Sequence, residues 1–245
     1  MAALPRITVS TRQRQGQVVA LTPEQRHYLV KVLRLQEGDR FIALDETDCS
    51  WLAELGEGCS ACIIALHSSL EQATTELTCE VTLQVAMPKT GMEDIIRQTT
   101  ELGVYSIQPV ISDRVILKPS AHKQQRWQRV AQEAAEQSER QHWPRIGPAC
   151  KFAAATKLPV TQAPRRYIGV ARRQAVSLLI ALQNSPPAAA LVVATGPEGG
   201  WTAAEIEAAI AAGYQPVRLG NRILRAVTAP VVAMALVAAV YERLD

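Results

Sequence analysis

The 245-residue chain is poor in aromatic residues, which make up 4% of it. It also lacks any uninterrupted apolar stretch of the roughly 18 residues that a membrane helix requires. Its longest apolar run, Ala229 to Tyr241, is broken by Pro230. The opening residues MAALPRITVS contain neither an apolar leader core nor a small-residue cleavage pattern. These absences lead to the expectation of a cytoplasmic protein. Five cysteines at irregular spacing are an odd number and do not suggest a disulfide framework. Cys59 and Cys62 form a CxxC, but no second pair stands at zinc spacing, so no metal is expected. Lys and Arg are missing altogether between Phe41 and Glu80.

What is present is an ordinary globular composition, 48% hydrophobic, with a formal net charge of +3. The small net charge hides two basic blocks. Residues 1 to 40 carry seven Lys/Arg against three acids, and residues 114 to 173 carry thirteen against Glu133, Glu136 and Glu139. Blocks of this kind attract polyanions.

Read in order, the chain changes rhythm once. Short strands are expected around Ile7 to Ser10 and Gln17 to Leu21. A helix should follow, with Thr22 as cap, Pro23 in its first position and Gln25 completing a capping box. Its spacing points Tyr28, Leu29, Val32 and Leu33 inward and leaves Arg26, Lys31 and Arg34 free. After the Gly38-Asp39 turn come three β runs, FIALD, SWLAEL and ACIIAL. Ser68 to Glu76 is polar and reads as a linker. Beyond it strands alternate with helices: VTLQVAM, a helix from Met92 to Leu102, SIQPVI, a long helix from Ala121 to Gln141, RRYIGVA, AVSLLIAL, AALVVAT, a capped helix from Thr202, PVRLG, and a last helix from Thr228 to Leu244. Such alternation predicts a largely parallel sheet covered on both faces. The long helix should pack through Trp127, Val130, Ala131, Ala134 and Ser138 and present Arg126, Arg129, Glu133, Glu136, Gln137 and Arg140 on the other side. The last helix is apolar nearly all round, which fits either a homodimer contact or complete burial within one subunit.

Two glycine-bearing loops, TGPEGG after AALVVA and LGNRILRAVTA after PVR, lead into helices, where open α/β sheets hold ligands. Neither is a GxGxxG motif or a phosphate-binding loop, and Glu198 puts a carboxylate where a phosphate would lie. The inference is a phosphate-free, preferably cationic ligand such as S-adenosylmethionine, with Ile223 and Leu224 able to sandwich a flat ring between Arg222 and Arg225.

The successive segments MPKTGMEDIIRQTTELGV, EAAEQSERQHWP, TGPEGGWTAAE and LGNRILRAVTA resemble the motifs of the ribosomal RNA small-subunit methyltransferase E family, of the SPOUT class. HYLVKVLRLQEGD resembles its N-terminal RNA-binding segment. The resemblance implies an S-adenosyl-L-methionine-dependent enzyme making N3-methyluridine in 16S rRNA on the small ribosomal subunit. It implies a PUA-like RNA-binding barrel over residues 1–72 and a trefoil-knotted, dimerising α/β methyltransferase domain over 73–245. Carried over by position, Thr195, Gly196, Glu198, Gly199, Gly200, Leu219, Gly220, Ile223, Leu224 and Arg225 would form the cofactor site. Arg34, Arg114, Glu136, Gln137 and Arg140 would face RNA or the target base, with Arg126 and Arg129 as further RNA contacts. Arg225 or Arg114 would stabilise charge developing on uracil, and Glu136 is a candidate base. The family often has glutamate at Val227 and commonly proline at Asn221. A related enzyme acting on another RNA such as tRNA would share the pocket, whereas a non-catalytic RNA-binding or assembly factor would keep the fold with a degraded site, a reading that Val227 motivates.

Overall fold

The computed structural model describes residues 4–45, 49–66, 75–114, 119–158, 164–171 and 174–242. The chain divides into two compact units, Met1–Thr75 with Ala135–Trp143, and Glu76–Ala134 with Pro144–Asp245. Most of the expected linker 68–76, with its boundary at 72/73, lies outside the described residues; only Thr75 and Glu76 fall within them.

The first unit is a six-stranded sheet. Its strands are β1 (Arg6–Thr8), β2 (Arg14–Gln15), β3 (Val18–Ala20), β4 (Arg40–Leu44), β5 (Ser50–Leu55) and β6 (Ser60–Leu66), in the order β1-β4-β5-β6-β3-β2. Only β1 and β4 run parallel. Helix α1 (Pro23–His27) begins as expected: Thr22 Oγ1 accepts from Gln25 N, and Gln25 Oε1 accepts from Thr22 N at 2.7 Å.

The helix then departs from the expected stripe. Tyr28–Val32 is a π turn, closed by Leu33 N donating to Tyr28 O. The wider turn rotates the following side chains out of the 3.6-residue register. Leu29 is fully buried and Val30 packs against the core, whereas Val32, expected inside, is 57% exposed. Arg26 is also not free: its Nη1 donates to Gly56 O at 2.7 Å and its Nη2 lies 3.7 Å from Glu37.

Strand β4 is buried on both faces. Phe41 and Ala43 belong to the cluster that includes Leu29, while Ile42 and Leu44 face Leu52, Ala65 and Trp143. A sheet face made of such residues needs a cover, and residues 135–143, returning from far along the sequence, supply it.

The second unit is an eight-stranded, wholly parallel sheet. In chain order its elements are β7 (Glu80–Ala86), α2 (Met92–Glu101), β8 (Ser106–Ile111), α3 (Ala121–Gln137, its last three residues in the first unit), β9 (Arg145–Ile146), β10 (Cys150–Lys151), α4 (Phe152–Ala155), β11 (Arg165–Gly169), β12 (Val176–Ser177), α5 (Leu178–Gln183), β13 (Ala190–Thr195), α6 (Ala203–Ala211), β14 (Tyr214–Arg218) and α7 (Thr228–Tyr241). The strand order is β10-β8-β7-β13-β11-β14-β12, with β9 beside β8. All six residues of β13 are buried, as a central parallel strand requires. One face packs Leu83, Val85, Leu191 and Val193 with residues of α2, α5 and α7. The other packs Val192 and Ala194 with Phe152, Trp201 and Ile206.

Two expectations about helices need correction. The long helix ends at Gln137, four residues early. Glu139 enters the left-handed region at φ 57°, and Arg140 N closes the turn on Ala135 O. The segment AVSLLIAL starts with two strand residues that pair with β14, and only Leu178 onward is helical. The last helix is buried on one side by Ala233, Met234, Val237 and Tyr241, but Ala235 and Ala239 are exposed and Val232, Leu236 and Val240 are half-buried. It is therefore not wholly enclosed by its own subunit. Among the described residues no helix is long and apolar enough to cross a membrane.

Candidate functional site

Parallel strands present all their carboxyl ends on one edge, and four loops on that edge of the second unit lock together. They are 87–91 after β7, 112–114 after β8, 196–202 after β13 and 219–227 after β14.

The loop after β13 is held at every step. A methyl group on Gly196 would lie 3.1 Å from Trp201 Nε1, so the indole rests on the bare α-carbon. Trp201 stacks in turn on Phe152, with ring centroids 4.4 Å apart and planes at 25°, and Phe152 meets Tyr214 edge-on at 6.3 Å. Tyr214 Oη donates to Gln84 Oε1 at 2.8 Å, and Gln84 Nε2 donates to Ala155 O at 2.9 Å. Burial pushes the Tyr214 phenol up from its ordinary value, so it stays the donor in this network. Gly200 takes φ +70°, and its N–H closes a turn on Pro197 O at 2.8 Å. The capping box expected at Thr202 and Glu205 is present.

Neighbouring loops dock on this frame. Glu198, expected to face the ligand, accepts from Lys89 N at 2.9 Å through Oε1 and so fixes the loop after β7. Arg114 Nη1 donates to Gly199 O, and a methyl group on Gly199 would sit 3.1 Å from Arg114 Cδ. Glu205 Oε1 accepts from Asp113 N at 2.9 Å. Gly91, at φ +86°, faces Val227, whose Cγ1 would lie 2.8 Å from an added Cβ. Val227 packs against the apolar core, so an apolar contact stands at the position where the resemblance set a glutamate. Leu219 lies against Gly169 at the end of β11.

The second glycine loop is held more loosely. Arg218 Nη1 donates to Asn221 Oδ1, and Arg225 O accepts from Thr228 N and Ala229 N at the start of α7. Gly220 takes φ +150°, a conformation that disfavours a side chain. Gly220, Arg222 and Arg225 are exposed, Leu224 is half-buried and Ile223 is 65% exposed.

The structure thus brings Arg114 and the residues from Thr195 to Gly200 together, with Leu219 to Arg225 on the same edge. Glu136, Gln137 and Arg140 belong to the first unit. There Glu136 Oε1 accepts from Thr8 N at 2.5 Å and Gln137 Nε2 donates to Tyr28 Oη at 3.3 Å. Arg140, expected on an open basic face, is 2% exposed, with Nη2 3.0 Å from His142 Nε2 and its carbonyl accepting from Arg6. Ending α3 early turns it inward. Arg34 is exposed at φ +60°, just past the π turn. Arg129 is exposed, and Arg126 pairs with Glu93 at 2.8 Å.

Sequence reasoning missed Trp201. Its indole Nε1 and the neighbouring Thr195 Oγ1 are buried without a hydrogen-bond partner among the described residues. Buried donors of this kind are normally satisfied. The only signal was an aromatic residue between a glycine loop and a helix cap.

An RNA methyltransferase domain model matches residues 75–238, and an RNA methyltransferase PUA domain model matches residues 21–58. The fold and the loop edge are therefore those of an RNA methyltransferase of the SPOUT class with a PUA-like domain. A ribosomal RNA small subunit methyltransferase E from Synechocystis is 45% identical over 97% of this chain and 78% of its own length. The Bacillus subtilis protein of that name is 30% identical over 89% and 88%. A crystal structure of the Neisseria gonorrhoeae protein bound to S-adenosyl methionine is 31% identical and superposes with a TM-score of 0.82 over 97% of this chain and 98% of the other. The chain belongs to the ribosomal RNA small subunit methyltransferase E family.

Proposed function

We propose that the chain transfers a methyl group from S-adenosylmethionine to N3 of a uridine in 16S rRNA on the small ribosomal subunit. The observation that carries this reading is the interlocked loop edge, behind which Ser112 Oγ, Thr195 Oγ1 and Trp201 Nε1 are buried without a hydrogen-bond partner among the described residues. An anionic phosphate would meet the nearby exposed carboxylate of Glu198, whereas a sulfonium cation would be attracted by it. The residues present therefore fit S-adenosylmethionine, which a similar protein holds.

The bound donor would supply an electrophilic methyl group on a sulfonium. Residues 195–200 and 219–225 would hold and orient it, with Ile223 and Leu224 against its flat ring. Positioning of the two reactants supplies much of the acceleration of such a transfer. As N3 loses its proton and attacks, negative charge spreads onto the uracil oxygens, and a guanidinium suits it because it is always protonated. We assign that role to Arg114, already anchored on Gly199, and to Arg225. Glu136 is set aside as base because its carboxylate accepts the Thr8 amide. Arg34, Arg126, Arg129 and Gln137, all exposed, are the proposed RNA contacts; Arg140 serves the first unit from within. The reading also includes domains at 1–72 and 73–245, a trefoil knot in the second, a cytoplasmic location and a homodimer through the open stripe of α7.

The test is methylation of small subunits with labelled S-adenosylmethionine and mapping of the product. Label at N3 of a uridine in 16S rRNA is expected; label found only in tRNA, or nowhere, would overturn the proposal.

A further inference from the structure

The carboxylate of Glu205 does more than cap a helix. It is 7% exposed in the first turn of α6. One oxygen accepts from Thr202 N at 2.8 Å and from Thr202 Oγ1 at 3.0 Å, which completes the local cap. The other accepts from Asp113 N at 2.9 Å, 92 residues away in sequence. The next residue, Arg114, reaches back to Gly199 O on the loop that Thr202 ends. Two tethers of opposite polarity therefore join the loop after β8 to the loop after β13. An acceptor on the helix holds the Asp113 amide, and a donor from the adjacent residue holds the Gly199 carbonyl.

We propose that Glu205 is a positioning residue for Arg114: by holding the Asp113 amide it fixes the backbone from which the guanidinium is presented to the target base. The inference rests on the proposed role of Arg114 in methyl transfer. A buried carboxylate suits the task, since both its oxygens accept and it can serve the cap and the distant amide at once. Glutamine cannot, because its NH2 group faces one of the two N–H donors.

The experiment combines Glu205→Gln, Arg114→Ala, their double variant, Thr202→Val and Glu205→Ala, assayed by single-turnover methylation of small subunits. Exchange of the Asp113 amide is followed by hydrogen–deuterium exchange. Glu205→Gln is expected to lower the transfer rate about 10-fold, as loss of one hydrogen bond to a charged group implies, with little change in affinity for S-adenosylmethionine. Glu205→Ala, which removes both acceptors, should deprotect Asp113. Added to Arg114→Ala, Glu205→Gln should cost nothing further. Thr202→Val, which weakens the cap but spares the Asp113 bond, should lose thermal stability and keep the Asp113 amide protected. Full additivity of the two losses, or an unchanged rate in Glu205→Gln while Arg114→Ala is impaired, would overturn the proposal. If Arg114→Ala alone is silent, the reading of the arginine fails, and with it the proposed purpose of the tether. Continued protection of Asp113 in Glu205→Ala, which removes both oxygens, would refute the tether itself.

Discussion

The two glycine loops sit on one edge of the same sheet and are built on opposite principles. The loop from Gly196 to Trp201 is fastened by Lys89, Arg114, the Trp201 indole and the α6 cap. The loop from Leu219 to Arg225 is tied at its ends, and its middle residues are exposed, including an isoleucine at 65%. Burying such a side chain is worth about 1.5–3 kcal/mol, so an exposed one marks a surface that gains from being covered. Under the proposed function, the first loop is a preformed seat for the methyl donor and the second is the part that the donor would complete.

The contrast makes glycine substitutions unequal. Gly196→Ala pushes a methyl group to 3.1 Å from an indole already stacked on Phe152. Overpacking there should weaken S-adenosylmethionine binding by on the order of 100-fold in calorimetry. Removing the acceptor for Lys89 N with Glu198→Ala should cost on the order of 10-fold in the same titration. Gly220→Ala meets no atom within 4 Å and pays only for its φ of +150°, about 1 kcal/mol or fivefold. If Gly220→Ala proved as damaging as Gly196→Ala, the distinction between seat and cover would fail. Ile223→Ser should leave the melting temperature nearly unchanged, within about 0.5 kcal/mol of stability, while lowering methyl-donor affinity severalfold. A large loss of stability would show that the loop is already packed.

A smaller effect separates the buried core from the surface. Burial, with Glu80 nearby, pushes the Cys79 thiol up from 9.0 to about 12. Above pH 9 the folded chain therefore holds a proton that the unfolded chain releases. This stabilisation is complete below pH 9 and declines as pH rises towards 12. The melting temperature should fall across that window, and less steeply in Cys79→Ala. At pH 8 a thiol reagent should label the exposed Cys59 and Cys62 and spare Cys79 in the folded protein.

Much of this was legible because local rules operate locally. The capping boxes at Thr22 and Thr202 need only residues three apart, and the buried run ALVVAT reads as a central parallel strand from its composition alone. The family motifs located the two loops. The misplaced features depended on irregular helix turns or on distant partners. Val32 turned outward because a π turn shifted the register, and Arg140 turned inward because α3 stopped at Gln137. Glu136 and Gln137 reached Thr8 and Tyr28, far back in the chain.

By itself, then, the amino-acid sequence determined the main strands and helices, though not β9, β10 or α4, together with the capped helix starts, the two glycine loops and the family to which they belong. Each follows from spacing, capping chemistry or ordered motifs within a few residues of one another. Only the tertiary structure decided what the polar groups of those loops hold: Glu198 on the Lys89 amide, Glu205 on Asp113, Arg114 on Gly199, and Trp201 over Gly196. These partners are brought together by the pairing of strands distant in sequence. A hydrogen bond formed in that way leaves no periodicity to read.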